Sequence, residues 1–183
     1  MSSRSIYRIR LIPLLVTLFV FILAPSLSAW ANSNTVPFGD KISRNIVNYN
    51  RTTPHLATSG LILDGGIQEL KSQGFKLIID LRTPPEGTAI EEAAATEAGL
   101  QYVNIPISRG APTKSQIQKL TGLIENPANY PVLLHCVSGN RAGTLWTLYQ
   151  ISKGVPTEIA IEMGRTVGMR FSREKQVRAL LAQ

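Results

Sequence analysis

The chain has 183 residues, enough for one domain, and its 44% hydrophobic content excludes a disordered or collagen-like protein. Three of its 19 basic residues lie in the first 31 positions, so residues 32–183 carry 16 Lys and Arg against 12 Asp and Glu, a net charge of +4. That excess is too mild and too scattered for a nucleic-acid-binding surface. The single cysteine excludes an intrachain disulfide, which leaves a buried spectator, an intermolecular link or a reactive thiol.

The N-terminus reads as an export leader. Arg4, Arg8 and Arg10 precede an uncharged apolar run from Leu11 to Ala24, and Ala29-Trp30-Ala31 has the shape of a cleavage site. Cleavage after Ala31 would release a periplasmic or secreted protein. The alternative is an uncleaved N-terminal anchor, and membrane contact is expected only in that case. Residues 32–53 are polar, with Pro37 and Gly39, and read as a flexible lead-in to a domain spanning 54–183.

From Pro54 the pattern is regular. His55 to Ile62 reads as a first strand, Asp64 to Gln73 as a helix capped by Asp64 and stopped by Gly74, and Lys76 to Leu81 as a buried strand. Pro84-Pro85 ends it. Thr88 to Ala98 is helical and Leu100 to Ile105 is the next strand. A loop at Pro106–Pro112 leads to the capping box Thr113-Lys-Ser-Gln116 and a helix to about Glu125. Val132 to His135 is a strand, Arg141 to Ser152 a helix, and Pro156-Thr157-Glu158 opens another to about Gly168. Ser172 is positioned to cap a last helix. Strands alternating with helices predict an α/β fold with a mostly parallel sheet flanked by helices.

The chemistry concentrates in His135-Cys-Val-Ser-Gly-Asn-Arg141, a loop between strand and helix. Unpaired N–H groups at a helix start, and the positive end of its dipole, form a site for an anion. Val137, Ser138, Gly139 and Asn140 are the expected cradle, with Gly139 allowing close approach. Arg141 adds a planar fork for two oxyanion oxygens. The same field favours thiolate over thiol, so Cys136 is the expected nucleophile. His135 is expected to hydrogen-bond to the loop and steady it.

These residues carry a resemblance. Thr58-Ser-Gly60, Ile67 to Lys76, Ile79-Asp-Leu-Arg82, Ala98 to Pro106 and the Cys loop together resemble the beta-lactamase-hydrolase-like phosphatase domain family, a bacterial branch of the tyrosine-phosphatase-like fold. The similarity runs from about Thr58 to Met169. It implies a tyrosine-phosphatase-like fold and a small anionic or phosphorylated substrate. A rhodanese has a similar loop, but its chain continues to a further strand. Here Leu145 to Tyr149, Lys153-Gly154 and Pro156 to Ala160 read as helix, turn, helix.

Two features depart from the phosphatase pattern. Four residues separate Cys136 from Arg141, where a tyrosine phosphatase typically has five and many rhodaneses have four. The loop Ile107 to Ala111 also lacks the Asp that protonates a leaving oxygen. Asp80 is the first substitute, with Glu86, Glu91 and Glu92 behind it; for Asp80 the alternative is a pairing with Arg82. Sulfur transfer through a Cys136 persulfide needs no such acid and is the alternative activity, with a non-catalytic anion-binding domain as a third. No metal or nucleotide-cofactor motif is present in the sequence, so neither a metal nor a cofactor is expected.

Overall fold

The computed structural model describes residues 34–182; the leader and its proposed cleavage site lie outside the described residues. Five strands form one sheet: β1 (Asn50–Arg51), β2 (Leu56–Ser59), β3 (Leu77–Asp80), β4 (Gln101–Asn104) and β5 (Val132–His135). Six α-helices accompany them: α1 (Gly66–Ser72), α2 (Thr88–Glu97), α3 (Lys114–Ile124), α4 (Asn140–Ser152), α5 (Thr157–Val167) and α6 (Phe171–Leu181). The sheet order is β1-β2-β5-β3-β4, with every pair parallel except β1–β2.

Parallel strands covered on both faces must be apolar throughout. Leu77-Ile78-Ile79 and Val132-Leu133-Leu134 meet that demand, all at 0% exposure. Alternation sends successive side chains to opposite faces. Leu77, Ile79, Val132, Leu134 and Cys136 pack with Leu120 of α3 and Ala142, Leu145 and Trp146 of α4. Ala57, Ile78 and Leu133 face the other way, against Ile67 and Leu70 of α1 and Ala95 of α2. The result is a three-layer α/β protein with a central mostly parallel sheet.

Register positions the site. Ser59 and Asp80 both pair with His135, and Asp80 also pairs with Asn104, so the four parallel strands end level with one another. The segments that follow them converge at this edge, where ligands bind in open α/β sheets.

The expected flexible lead-in is a correction. Val36 and Ile46 are buried at 2% exposure, and Val36 N–H donates to Pro54 O at 2.7 Å. Tyr49 Oη–H donates to Pro37 O at 2.7 Å, and β1 adds an antiparallel edge strand. Widely spaced Val36, Ile46 and Tyr49 cover the α1 face, a spacing that shows neither helical nor strand periodicity. Smaller corrections fall at helix starts. Gly65, with φ of 79°, is the N-cap of α1 in place of Asp64. Arg170 precedes α6, so Ser172 lies inside that helix rather than capping it. The Thr113–Gln116 capping box forms.

Candidate active site

Cys136 follows β5 directly and is 1% exposed, beneath the start of α4. The loop is held from outside through its carbonyls. Val137 O accepts from Leu61 N–H at 3.1 Å, Ser138 bridges to Gly60, and Gly139 O accepts from Gly143 N–H at 2.8 Å. Asn140 Oδ1 accepts from Arg170 N–H at 2.8 Å. The N–H groups of Val137, Ser138 and Asn140 have no backbone carbonyl partner among the described residues. Those of the first helical turn are free by geometry. Gly139 is left-handed, with φ of 85°, and a Cβ there would lie 3.1 Å from Val167 O. A side chain would therefore be both strained and crowded.

Arg141, in the first turn of α4, reaches the loop after β3. Its Nη1 and Nη2 donate to Glu86 Oε2 and Oε1 at 2.8 and 2.7 Å, and Nη1 also reaches Ile107 O at 3.2 Å. Glu86 is fixed by a second set of bonds, accepting from Thr83 N–H and Oγ1–H at 2.7 Å each in a capping box around the short 3-10 turn Pro84–Glu86. The Arg141 hydrogen bonds, helped by those from Thr83, bring the Glu86 carboxyl down to about 2 against a smaller burial effect. Arg141 is pushed up, first by Glu86 and, against burial, by the nearby Cys136 sulfur.

Around this pair opens a cavity of about 430 Å³ lined by Thr83, Glu86, Ser108, Arg109, Arg141 and Arg173. Arg173, from α6, donates to Gly110 O and Ser108 O at 2.6 Å each and so ties α6 to the loop after β4. Its position had no signal in the sequence: it lies on a helix after the motif region, and only the packing of α6 brings it to the site. Glu86 was legible only as a candidate acid, not as the partner of Arg141.

The structure corrects two expected roles. Asp80 and His135 share the α1/α2 face of the sheet, opposite Cys136. Asp80, at 0% exposure, accepts from Arg82 Nε and Nη2 at 3.0 and 2.8 Å and from Tyr102 Oη at 2.6 Å. Burial pushes the Asp80 carboxyl up, but the Arg82 hydrogen bonds, the His135 charge and the Tyr102 bond outweigh it and hold it low. A carboxylate so paired is ionised at neutral pH and faces away from the cavity, an arrangement that fits the pairing with Arg82 and not a proton donor to the cavity.

His135 Nε2 lies 2.7 Å from Glu91 Oε1 and 3.6 Å from Asp80 Oδ1. The approach to Glu91 is off the hydrogen-bonding line, and neither ring nitrogen bonds to the Cys loop. Asp80, Glu91 and His135 present ligand atoms within 4.8 Å of one another. Arg82 Nη2, 2.8 Å from Asp80 and 2.7 Å from Glu91, already occupies the space between the carboxylates. A guanidinium thus already takes the position between the two carboxylates that a metal ion would need.

Sheet order, strand-to-helix loop and paired arginine define a protein of the tyrosine-phosphatase-like class. Residues 25–180 match the family model described as DSP-PTPase phosphatase fused to NAD+ kinase, and the chain belongs to that phosphatase family. A beta-lactamase hydrolase-like protein of Agrobacterium fabrum is 33% identical over 124 residues, covering 64% of this chain and 28% of that protein. A protein of the same description from Xylella fastidiosa is 36% identical over 87 residues, covering 45% and 20%. The chain thus spans well under a third of the length of these relatives. Among solved structures, a DUF442 protein from Shewanella putrefaciens CN-32 superposes with a TM-score of 0.61 at 23% identity, covering 75% of this chain and 88% of that one.

Proposed function

We propose that the chain is a cysteine-dependent phosphatase-like hydrolase acting through a Cys136–phosphate intermediate. The observation that carries the reading is the Cys136 sulfur at the base of a loop in which the N–H groups of Val137, Ser138 and Asn140 have no backbone partner, with Arg141 in the first turn of the helix that follows. The Cys136 thiolate attacks phosphorus, an S–P bond forms, and the P–O ester bond breaks with its electron pair on the leaving oxygen. Loop N–H groups and Arg141 hold the equatorial oxygens. Water then attacks phosphorus and the thiolate leaves. His135, the last residue of the strand that presents Cys136, is buried on the opposite face beside Glu91 and Asp80 and so acts on this chemistry only through the strand itself.

The leaving oxygen has no carboxylic acid beside it: Glu86, the carboxyl in the cavity, stays ionised at neutral pH. Esters of acidic alcohols should therefore turn over fastest, and the rate should fall steeply as the leaving group becomes more basic. Hydrolysis of substituted aryl phosphates tests this. A rate indifferent to the leaving group would mean that an acid is supplied, and turnover retained in Cys136→Ser would remove the nucleophile.

The four-residue loop and the ionised Glu86 also favour a second reading, sulfur transfer through a Cys136 persulfide. Mass spectrometry after thiosulfate separates the two. We further propose export, on the basic and apolar leader pattern. A mature N-terminus at Asn32 in a periplasmic or culture fraction supports it; full-length chain in the cytosol refutes it. Among the described residues no helix is long and apolar enough to cross a membrane.

A further inference from the structure

The cavity holds more positive charge than one phosphoryl group requires. Three arginines line it, and its one carboxylate, Glu86, is committed to Arg141 by two hydrogen bonds. Arg109 and Arg173 are left over. The Arg109 guanidinium is exposed and has no hydrogen bond or ion pair among the described residues. Arg173 is half-buried and spends one N–H of each Nη on Ser108 O and Gly110 O, which leaves its Nε–H and the remaining Nη N–H groups for another acceptor.

The two arginines are mutually organised. Arg173 pins the loop on both sides of residue 109, and Gln176, one turn further along α6, donates to Arg109 O at 2.9 Å. Helix α6 thus fixes the backbone that carries Arg109. Burial lowers Arg173, the neighbouring Arg141 charge lowers it further, and Cys136 opposes both, which puts Arg173 within electrostatic reach of the nucleophile and its arginine. A guanidinium remains protonated under such a shift. Leaving a half-buried cation without a counter-ion is unfavourable, and a bound anion relieves that cost.

We propose that Arg109 and Arg173 form a second anion subsite, so that the substrate carries a phosphate or carboxylate beside the phosphoryl group bound by the Cys loop. This rests on the phosphatase reading and names its substrate class: small molecules with at least two anionic groups. Arg141 and the loop N–H groups hold the reacting group, while Arg109 and Arg173 hold the other.

The test is binding of inorganic phosphate and of pyrophosphate to the chain in a Cys136→Ser background, followed by calorimetry so that no turnover intervenes. Pyrophosphate should bind at least about ten-fold more tightly than phosphate, the size expected of one charge-assisted contact. Arg109→Ala should remove most of that advantage and leave phosphate affinity within about two-fold. Arg109 makes no contact that folding depends on, so this variant is free of a stability artefact. Arg173→Ala should do the same, with Arg173→Lys recovering most of the loss; Lys175→Ala, a neutralised charge on the same helix, should change neither affinity.

Equal affinities in the parent, or a pyrophosphate advantage that survives in the Arg109→Ala/Arg173→Ala double variant, would overturn the proposal. Arg173→Lys as weak as Arg173→Ala, beside an unaffected Arg109→Ala, would reduce Arg173 to a loop tie and overturn it likewise. Aryl phosphate turnover by the parent is measured separately. Turnover without a pyrophosphate preference sinks the second subsite alone. A preference without turnover sinks the phosphatase reading and leaves the subsite standing.

Discussion

Replacing Glu86 with Gln removes one negative charge and leaves an oxygen that can still accept from Thr83. The wild-type carboxyl is lowered from 4.5 to about 2, chiefly by Arg141. Such a displacement corresponds to roughly 3 kcal/mol of differential stability. Glu86 is 32% exposed and Arg141 12%, so solvent screening reduces this to about 1–2 kcal/mol. The sign follows from the lowered value. The unfolded chain takes up the proton near 4.5 and the folded chain only near 2, so the stabilisation is complete above about pH 5 and is lost as the pH falls toward 2. Urea denaturation of parent and Glu86→Gln at pH 7 and pH 3 reads this out. A deficit of about 1–2 kcal/mol at pH 7 that shrinks clearly at pH 3 is expected. An equal deficit at both pH values would mean that the charge pair contributes nothing and that Arg141 is held by packing.

Asp80→Asn should destabilise the protein by about 3–5 kcal/mol, because it leaves Arg82 buried beside half its counter-charge; chemical denaturation measures this. In protein that remains folded, the alkaline limb of the activity profile should be unchanged, whereas its loss would restore Asp80 as an acid. Ile46→Ala should cost about 2–4 kcal/mol, since Ile46 is 2% exposed against the α1 face. A neutral effect in a thermal melt would return residues 34–53 to the status of a loose lead-in.

The sheet was legible because its strands are short apolar runs between glycines and prolines, and the Cys loop because strand, Gly139 and Arg141 stand together in sequence. Local chemistry also showed the Thr113–Gln116 cap. What stayed hidden depends on contacts across the fold. Alternation alone puts His135 on the face away from its neighbour Cys136, but the face of Asp80 is decided by the β3–β5 register that pairs it with His135. Asp80 alone left open both an acid and an ion pair; the Arg82 and Tyr102 bonds decide it. Arg173 reaches the cavity only because α6 packs back beside the loop after β4. The lead-in misled because Pro37, Gly39 and the polar residues between its buried positions mask Val36 and Ile46.

The most direct test of the central claim is acid-quench mass spectrometry of the chain during turnover of an aryl phosphate. The account predicts a phosphoryl adduct on Cys136 that decays after substrate is consumed, and that is absent, along with turnover, in Cys136→Ser. Turnover with no adduct on Cys136, and with rates preserved in Cys136→Ser, would contradict it.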